Sequence, residues 1–166
     1  MEEYLSKIKD QTAMKAVVET AKGAGKKVVF TNGCFDILHQ GHVRYLSEAK
    51  KCGDILVIGL NSDRSVRNIK GKNRPLMPVG ARAELLAALC FVDGIVVFDD
   101  EDPSAIIKYL QPHVLVKGSD WAEENIIGAK LIKKTGGEVR RIPLVPGITT
   151  SGIIRRIADL YSVGNS

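Results

Sequence analysis

Short runs rich in β-branched and apolar residues recur along this 166-residue chain, at 28–31, 55–60, 95–98, 114–117 and 138–142. Helical periodicity fills the intervals near 42–51, 80–90, 103–110 and 123–135, and residues 151–161 read as a closing helix. Strands that alternate with helices across short glycine-marked turns bury both faces by lying parallel, with helices on either side. The right-handed crossover rule then gives a doubly wound α/β domain around a five-stranded parallel sheet. Ligands of such sheets bind beyond the carboxyl ends of the strands, where strand order reverses. Chemistry is therefore expected in 32–42, 61–74, 118–121 and 143–151.

A chain of this length holds one well-buried domain and is too short for two ordinary ones. Leu5 and Ile8, then Met14, Val17, Val18 and Ala21, recur at helical spacing and predict an amphipathic helix over 4–22. It would pack on the domain or on a second subunit. The expected division is a helical extension and connection over 1–26, the main domain over 27–161 and a tail at 162–166. No apolar run reaches the length of a membrane span, and the start, Met1-Glu2-Glu3-Tyr4, is acidic rather than signal-like. A cytoplasmic protein without a membrane partner is expected. Cys34, Cys52 and Cys90 have no metal-type spacing and are expected as reduced thiols, with no protein-held metal. The net charge of +5 suits anionic partners, but the basic residues are scattered and little interleaved with aromatics. That pattern favours small phosphorylated substrates over nucleic acid.

Residues 32–42, Asn-Gly-Cys-Phe-Asp-Ile-Leu-His-Gln-Gly-His, follow the first strand and lead into the first crossover helix, whose apolar positions are 43, 46 and 49. His39 and His42 thus stand where a strand hands over to a helix N-terminus, whose free N–H groups and dipole favour an anion. Two surface histidines at a turn are the plain alternative, set against the neighbouring Gly33, Asp36 and Gly41. Residues 61–75 carry Arg64, Arg67, Lys70, Lys72 and Arg74 on an expected long loop, which either closes over a polyphosphate or is solvated. Lys70 beside Gly71 and Arg74 before Pro75 are the preferred phosphate ligands. Arg82 either points its guanidinium at phosphate from the next helix or lies on that helix's surface. Lys117-Gly118-Ser119-Asp120-Trp121 puts an ammonium and a close-approaching backbone at a strand end, with Trp121 either stacked on ligand or packed in a core. Thr149, Thr150 and Ser151 open the last helix, where hydroxyls cap N–H groups and can also hold phosphate.

Gly33-Cys34-Phe35-Asp36-Ile37-Leu38-His39-Gln40-Gly41-His42 resembles the G-x-F-D-x-x-H-x-G-H signature of the cytidylyltransferase-like nucleotidyltransferases, and Ile148-Thr149-Thr150-Ser151 resembles their triphosphate-contacting I-S-T-T element. Val57-Ile58-Gly59-Leu60-Asn61-Ser62-Asp63, Lys70-Gly71 with Arg74-Pro75, and Val114-Leu115-Val116-Lys117-Gly118-Ser119-Asp120 resemble one branch. That branch makes ADP-heptose from ATP and D-glycero-β-D-manno-heptose 1-phosphate. In many members the domain is fused behind a sugar kinase, and this chain looks like a free-standing version. Glycerol-3-phosphate cytidylyltransferases share the His-x-Gly-His element, but carry an arginine shortly before the last motif where this chain has Leu144-Val145-Pro146.

The resemblance implies a Rossmann-like fold, ATP and a sugar 1-phosphate as substrates, Mg²⁺ arriving with ATP, and a homodimer. It implies His39, His42 and Lys70 as catalytic residues. Nucleotide binding falls to Asn32, Gly33, Cys34, Phe35, Gly41, Arg74, Lys117, Gly118, Asp120, Thr149, Thr150 and Ser151, besides both histidines. Asp36, Asn61, Arg82, Lys117 and Trp121 are the candidates for the acceptor, and Asp36 is either the nearest carboxylate to the magnesium or its waters or a carboxylate that shapes the turn. Two other classes stay open: a nucleotide-sensing module that releases no pyrophosphate, and a nucleic-acid binder with steep salt dependence.

Overall fold

A computed structural model describes residues 3–120 and 122–162 of the chain. Its centre is an all-parallel sheet of six strands in the order β1-β4-β3-β2-β5-β6. β2 (Val28–Gly33), β3 (Ile55–Asn61), β4 (Gly94–Phe98), β5 (Val114–Gly118) and β6 (Glu138–Ile142) are the five runs read from the sequence. β1 (Ile8–Lys9) is additional and pairs with β4, Ile8 beside Ile95 and Lys9 beside Val96.

That strand corrects the expected continuous helix over 4–22. A 3-10 turn over Glu3–Lys7 runs into β1, and Asp10 then caps α1 (Gln11–Gly23) by accepting from Ala13 N at 2.7 Å. A carboxylate at this position satisfies one of the orphan N–H groups of a helix start, so the helix begins here rather than six residues earlier. Lys7 Nζ donates to Ala87 O and Leu89 O, fastening the segment to the end of α4 (Val79–Ala87). A second correction concerns 61–75. Ser62 caps α3 (Asp63–Lys70), whose end is marked by Gly71 at φ 95°, so most of the basic stretch is helix.

Alternate residues of each strand feed opposite cores, as the pleat requires. Val29, Leu56, Ile58, Leu60, Ile95, Val114 and Val116 face α2 (Gln40–Lys50) and α4, through Leu46, Ala49, Ala83 and Leu86. Val28, Phe30, Val57, Val96, Phe98 and Leu115 face α1, α5 (Ser104–Leu110) and α6 (Ala129–Lys134). Burial on both faces is why these strands read as near-continuous apolar runs. α7 (Thr150–Ser162) lies outside both cores, with no buried residue. Among the described residues no helix is long and apolar enough to cross a membrane.

Strand order reverses at β2, whose neighbours are β3 on one side and β5 on the other. The crevice between the carboxyl ends of β2 and β5 is therefore the place for a ligand.

Candidate active site

A cavity of about 650 Å³ opens at that crevice. Lys117 at the end of β5 donates from Nζ to Asn32 Oδ1 on β2 at 2.6 Å, bridging the switch point. Burial pushes the Lys117 ammonium down to about 8. Gly118 follows where a Cβ would stand 2.5 Å from Asp120 Oδ1 and 3.0 Å from Leu144, so the backbone approaches the crevice only without a side chain.

The 34–39 loop is held in an unusual shape. Phe35 and Ile37 adopt φ of 45° and 54°, a region that costs a bulky residue energy and is kept where the surrounding structure over-determines it. The loop delivers His39 to the N-cap position of α2 and His42 to its first turn. Their rings stack at 3.8 Å between centroids and 20° between planes, and Phe35 meets His42 edge-on at 5.3 Å. Gly41 makes room for this, since a Cβ there would lie 3.0 Å from two atoms of the His39 ring and 3.3 Å from Ile148. Both Nδ1 atoms are buried without a hydrogen-bond partner. A proton placed there would have no acceptor, so each neutral ring is favoured as the Nε2–H tautomer, its donor available to a ligand. Burial holds His39 below the usual imidazole range, and burial with the adjacent His39 takes His42 to about 4.

A stability consequence follows with a definite sign. Between about 6.5 and about 4 the unfolded chain takes up a proton that folded His42 refuses, so stability falls as pH falls through that window. Melting temperature measured from pH 6.5 to 5 should fall less steeply in His42→Gln than in the wild type. Equal slopes would contradict a buried neutral ring.

Two helix N-termini converge on the cavity. No side chain caps α2, which leaves its leading N–H groups to solvent or an anion. At α7, Thr149 Oγ1 accepts from Gly152 N at 3.0 Å, and Thr150 Oγ1 donates to Asp36 O at 2.9 Å. Thr149, Thr150 and Ser151 line the cavity with Asn32, Gly33, Cys34, Phe35, Asp36, His39, Gly41, His42, Asn61, Lys70, Arg74, Lys117, Gly118 and Asp120. Of the basic stretch, Lys70 and Arg74 reach the cavity, while Arg64 turns outward to Asp99 at 3.3 Å. The Cys34 thiol is pushed up by burial and stays protonated, against a nucleophilic role.

Asp36 and Arg82 are corrected by the structure. The Asp36 side chain is closed off: Oδ2 accepts from Arg74 Nε at 2.6 Å and Leu76 N at 2.9 Å, and Oδ1 from Met77 N at 3.0 Å. Burial raises this carboxyl, but the two backbone donors and Arg74 outweigh it, and the group is held below the usual carboxylate range. It anchors the segment after Arg74–Pro75, the turn-shaping role of this carboxylate, while still lining the cavity. Arg82 is 1% exposed and does not line the cavity. Its guanidinium donates to Cys34 O at 2.6 Å, Asn61 O at 2.9 Å, Met77 O at 3.0 Å and Asp63 Oδ1 at 2.7 Å. Trp121 lies outside the described residues. The sequence reading missed Tyr45, Glu101 and the apolar wall of Ile126 and Ile127, while Leu144, Val145 and Ile148 belong to the 143–151 segment where chemistry was expected. Glu101 follows a strand end, which was the available signal.

The donor set does not fit a resident metal: Asp36 is occupied, and the described residues contain no group of three or more His, Cys, Asp or Glu able to hold one. Magnesium fits here only as a companion of substrate phosphates, its usual mode.

The Cytidylyltransferase-like family profile matches residues 30–156. Relatives include the bifunctional protein HldE of Syntrophotalea carbinolica, 49% identical over 162 residues, and that of Geobacter metallireducens, 47% identical over 156. The alignments take in 98% and 94% of this chain but 33% and 32% of those proteins, so the chain spans about a third of the length of the curated relatives it matches. The lipopolysaccharide core biosynthesis protein from Thermoplasma volcanium GSS1 is 32% identical, with a TM-score of 0.59 over 73% of this chain and 98% of that one. A pantoate-beta-alanine ligase from Francisella tularensis, 14% identical, shares the fold, with a TM-score of 0.61 over 93% of this chain and 77% of its own. With the His-x-Gly-His element seated at the sheet's switch point and the profile running through most of its length, this chain belongs to the cytidylyltransferase-like nucleotidyltransferases.

Proposed function

We propose that the chain is an adenylyltransferase that joins AMP from ATP to D-glycero-β-D-manno-heptose 1-phosphate, giving ADP-heptose and pyrophosphate. The observation that carries this reading is the stacked His39–His42 pair, lining the cavity between two helix N-termini at the β2/β5 crevice. The choice of adenine and of the heptose rests on the branch resemblance, which the HldE relatives support through nearly the whole chain.

A sugar phosphate oxygen attacks the α-phosphorus in line, and the bond to the β-phosphate oxygen breaks with its electron pair leaving on pyrophosphate. Such a transfer needs positioning and charge stabilisation more than covalent chemistry. His39 and His42 donate from Nε2 to the α- and β-phosphates as charge shifts toward the leaving group. Lys70, Arg74 and the start of α7 hold the β,γ-phosphates; Arg74 is tied to Asp36 through Nε, leaving its terminal nitrogens for this. Magnesium bound to ATP neutralises phosphate charge. Lys117 meets the acceptor phosphate. The homodimer implied by the resemblance and the cytoplasmic location expected from the sequence belong to the same reading, and sedimentation of the wild type tests the dimer.

The direct test supplies purified protein with ATP and heptose 1-phosphate and follows pyrophosphate and ADP-heptose. Turnover with ATP and little with CTP is expected. Equal use of both nucleotides, or preference for CTP with glycerol 3-phosphate, would overturn the branch, and ATP binding without pyrophosphate release would leave a sensing module. Lys117 adds a pH signature: its charge is lost as pH rises through about 8, so kcat/KM for the sugar phosphate should decline there. Lys117→Arg, charged throughout, should move that decline upward. A decline unmoved by the substitution would place its origin elsewhere.

A further inference from the structure

Most charged groups at the cavity suit phosphate, but its carboxylates do not. Asp36 is sealed by Arg74 and two backbone donors, and Asp120 stands beside Lys117, favouring its charge. Glu101 is different. It lines the cavity, is exposed, and makes no ion pair or side-chain hydrogen bond among the described residues. A free carboxylate repels a triphosphate and suits a ligand that brings hydrogen-bond donors.

The fold puts Glu101 at the β3/β4 side of the cavity. β3 and β4 lie on the opposite side of β2 from Lys117, and Glu101 follows β4. The stretch is stitched in place: Asn61 Nδ2 donates to Ser65 Oγ at 2.9 Å, and Ser65 Oγ donates to Asp100 O at 2.8 Å. Ser65 is fully buried and Asn61 is 3% exposed. Asn61 also lines the cavity, and its Oδ1 has no partner among the described residues. Two acceptor groups, a carboxylate and an amide oxygen, thus line the cavity after the ends of β4 and β3 with no donor among the described residues.

We propose that Glu101 and Asn61 form the acceptor end of the cavity and read hydroxyl groups of the sugar phosphate. This rests on the adenylyltransferase reading and specifies how its acceptor is selected. Hydroxyls are the donors that satisfy both groups. The phosphate of the acceptor then points toward the histidines, and its polyol toward β4.

The test is steady-state kinetics of Glu101→Ala and Glu101→Gln with heptose 1-phosphate varied at saturating ATP, and the converse. Glu101→Ala should raise KM for the sugar phosphate about tenfold or more while kcat and KM for ATP stay within about twofold, the pattern of a group that binds substrate and transition state equally. Glu101→Gln keeps an acceptor oxygen and should fall between Glu101→Ala and the wild type. Among deoxy analogues of the acceptor, the one lacking the hydroxyl read by Glu101 should be a poor substrate for the wild type and lose no further ground in Glu101→Ala. Unchanged KM for the sugar phosphate, or a shift in KM for ATP instead, overturns the proposal. Wild-type protein inactive with every sugar phosphate overturns the activity itself, a separate failure.

Discussion

Replacing His42 with alanine is expected to lower kcat at least about a hundredfold while ATP affinity changes only a few-fold, the cost of one donor aimed at transition-state charge. The geometry explains the split. On the proposed reading, ground-state ATP is held by Lys70, Arg74 and the α7 start. The imidazole contributes once negative charge moves onto the leaving phosphate oxygens. Because Nδ1 is buried without a partner, the donor is Nε2, and the substitutions should respect that. Glutamine, whose amide nitrogen reaches the Nε2 position, should recover part of the loss. Asparagine, which mimics Nδ1, should recover little. Single-turnover rates and equilibrium ATP binding measured on all three variants check the pattern. Near-normal kcat in His42→Ala, or equal rescue by both amides, would contradict the assigned atom.

Arg82→Ala is expected to destabilise the fold by about 3–5 kcal/mol, since three backbone acceptors and the Asp63 carboxylate lose a buried donor together. For a chain of this size that is a fall in melting temperature of roughly 10 °C. The guanidinium joins the exit of β2, the end of β3 and the segment before α4, so its loss also loosens the floor on which Cys34 and Asn61 stand. Arg82→Lys should rescue poorly, because one ammonium cannot span four acceptors. Thermal and urea unfolding measure the effect. A variant with wild-type stability and a raised KM for the sugar phosphate would instead return Arg82 to a substrate contact.

These two residues also mark what can be read from the chain. His39 and His42 were legible because both the strand–helix handover and the signature around them are local in sequence. The five long strands were legible for a related reason: burial on both faces writes itself as an unbroken apolar run. β1 was not, because two residues make no pattern, and Leu5 and Ile8 share the spacing of a helix. Asp10 was the overlooked signal, a strong cap in mid-pattern. α3 was hidden by its charge, although Ser62 and Gly71 mark its two ends. Arg82 and Asp36 failed for another reason. Each lies at a position where a phosphate or metal contact is plausible, and only the fold shows that backbone groups 40 to 48 residues away in sequence had already taken them. Glu101 was passed over although it follows a strand end, because a run of acidic residues there looks like ordinary solvated surface until the cavity forms beside it.

The most direct measurement is a crystal structure with a non-cleavable α,β-methylene analogue of ATP. The account expects α-phosphate oxygens within hydrogen-bonding distance of the Nε2 atoms of His39 and His42, and the β,γ-phosphates at Lys70, Arg74 and the first turn of α7. A triphosphate lodged elsewhere, or imidazoles turned away from it, would contradict the account.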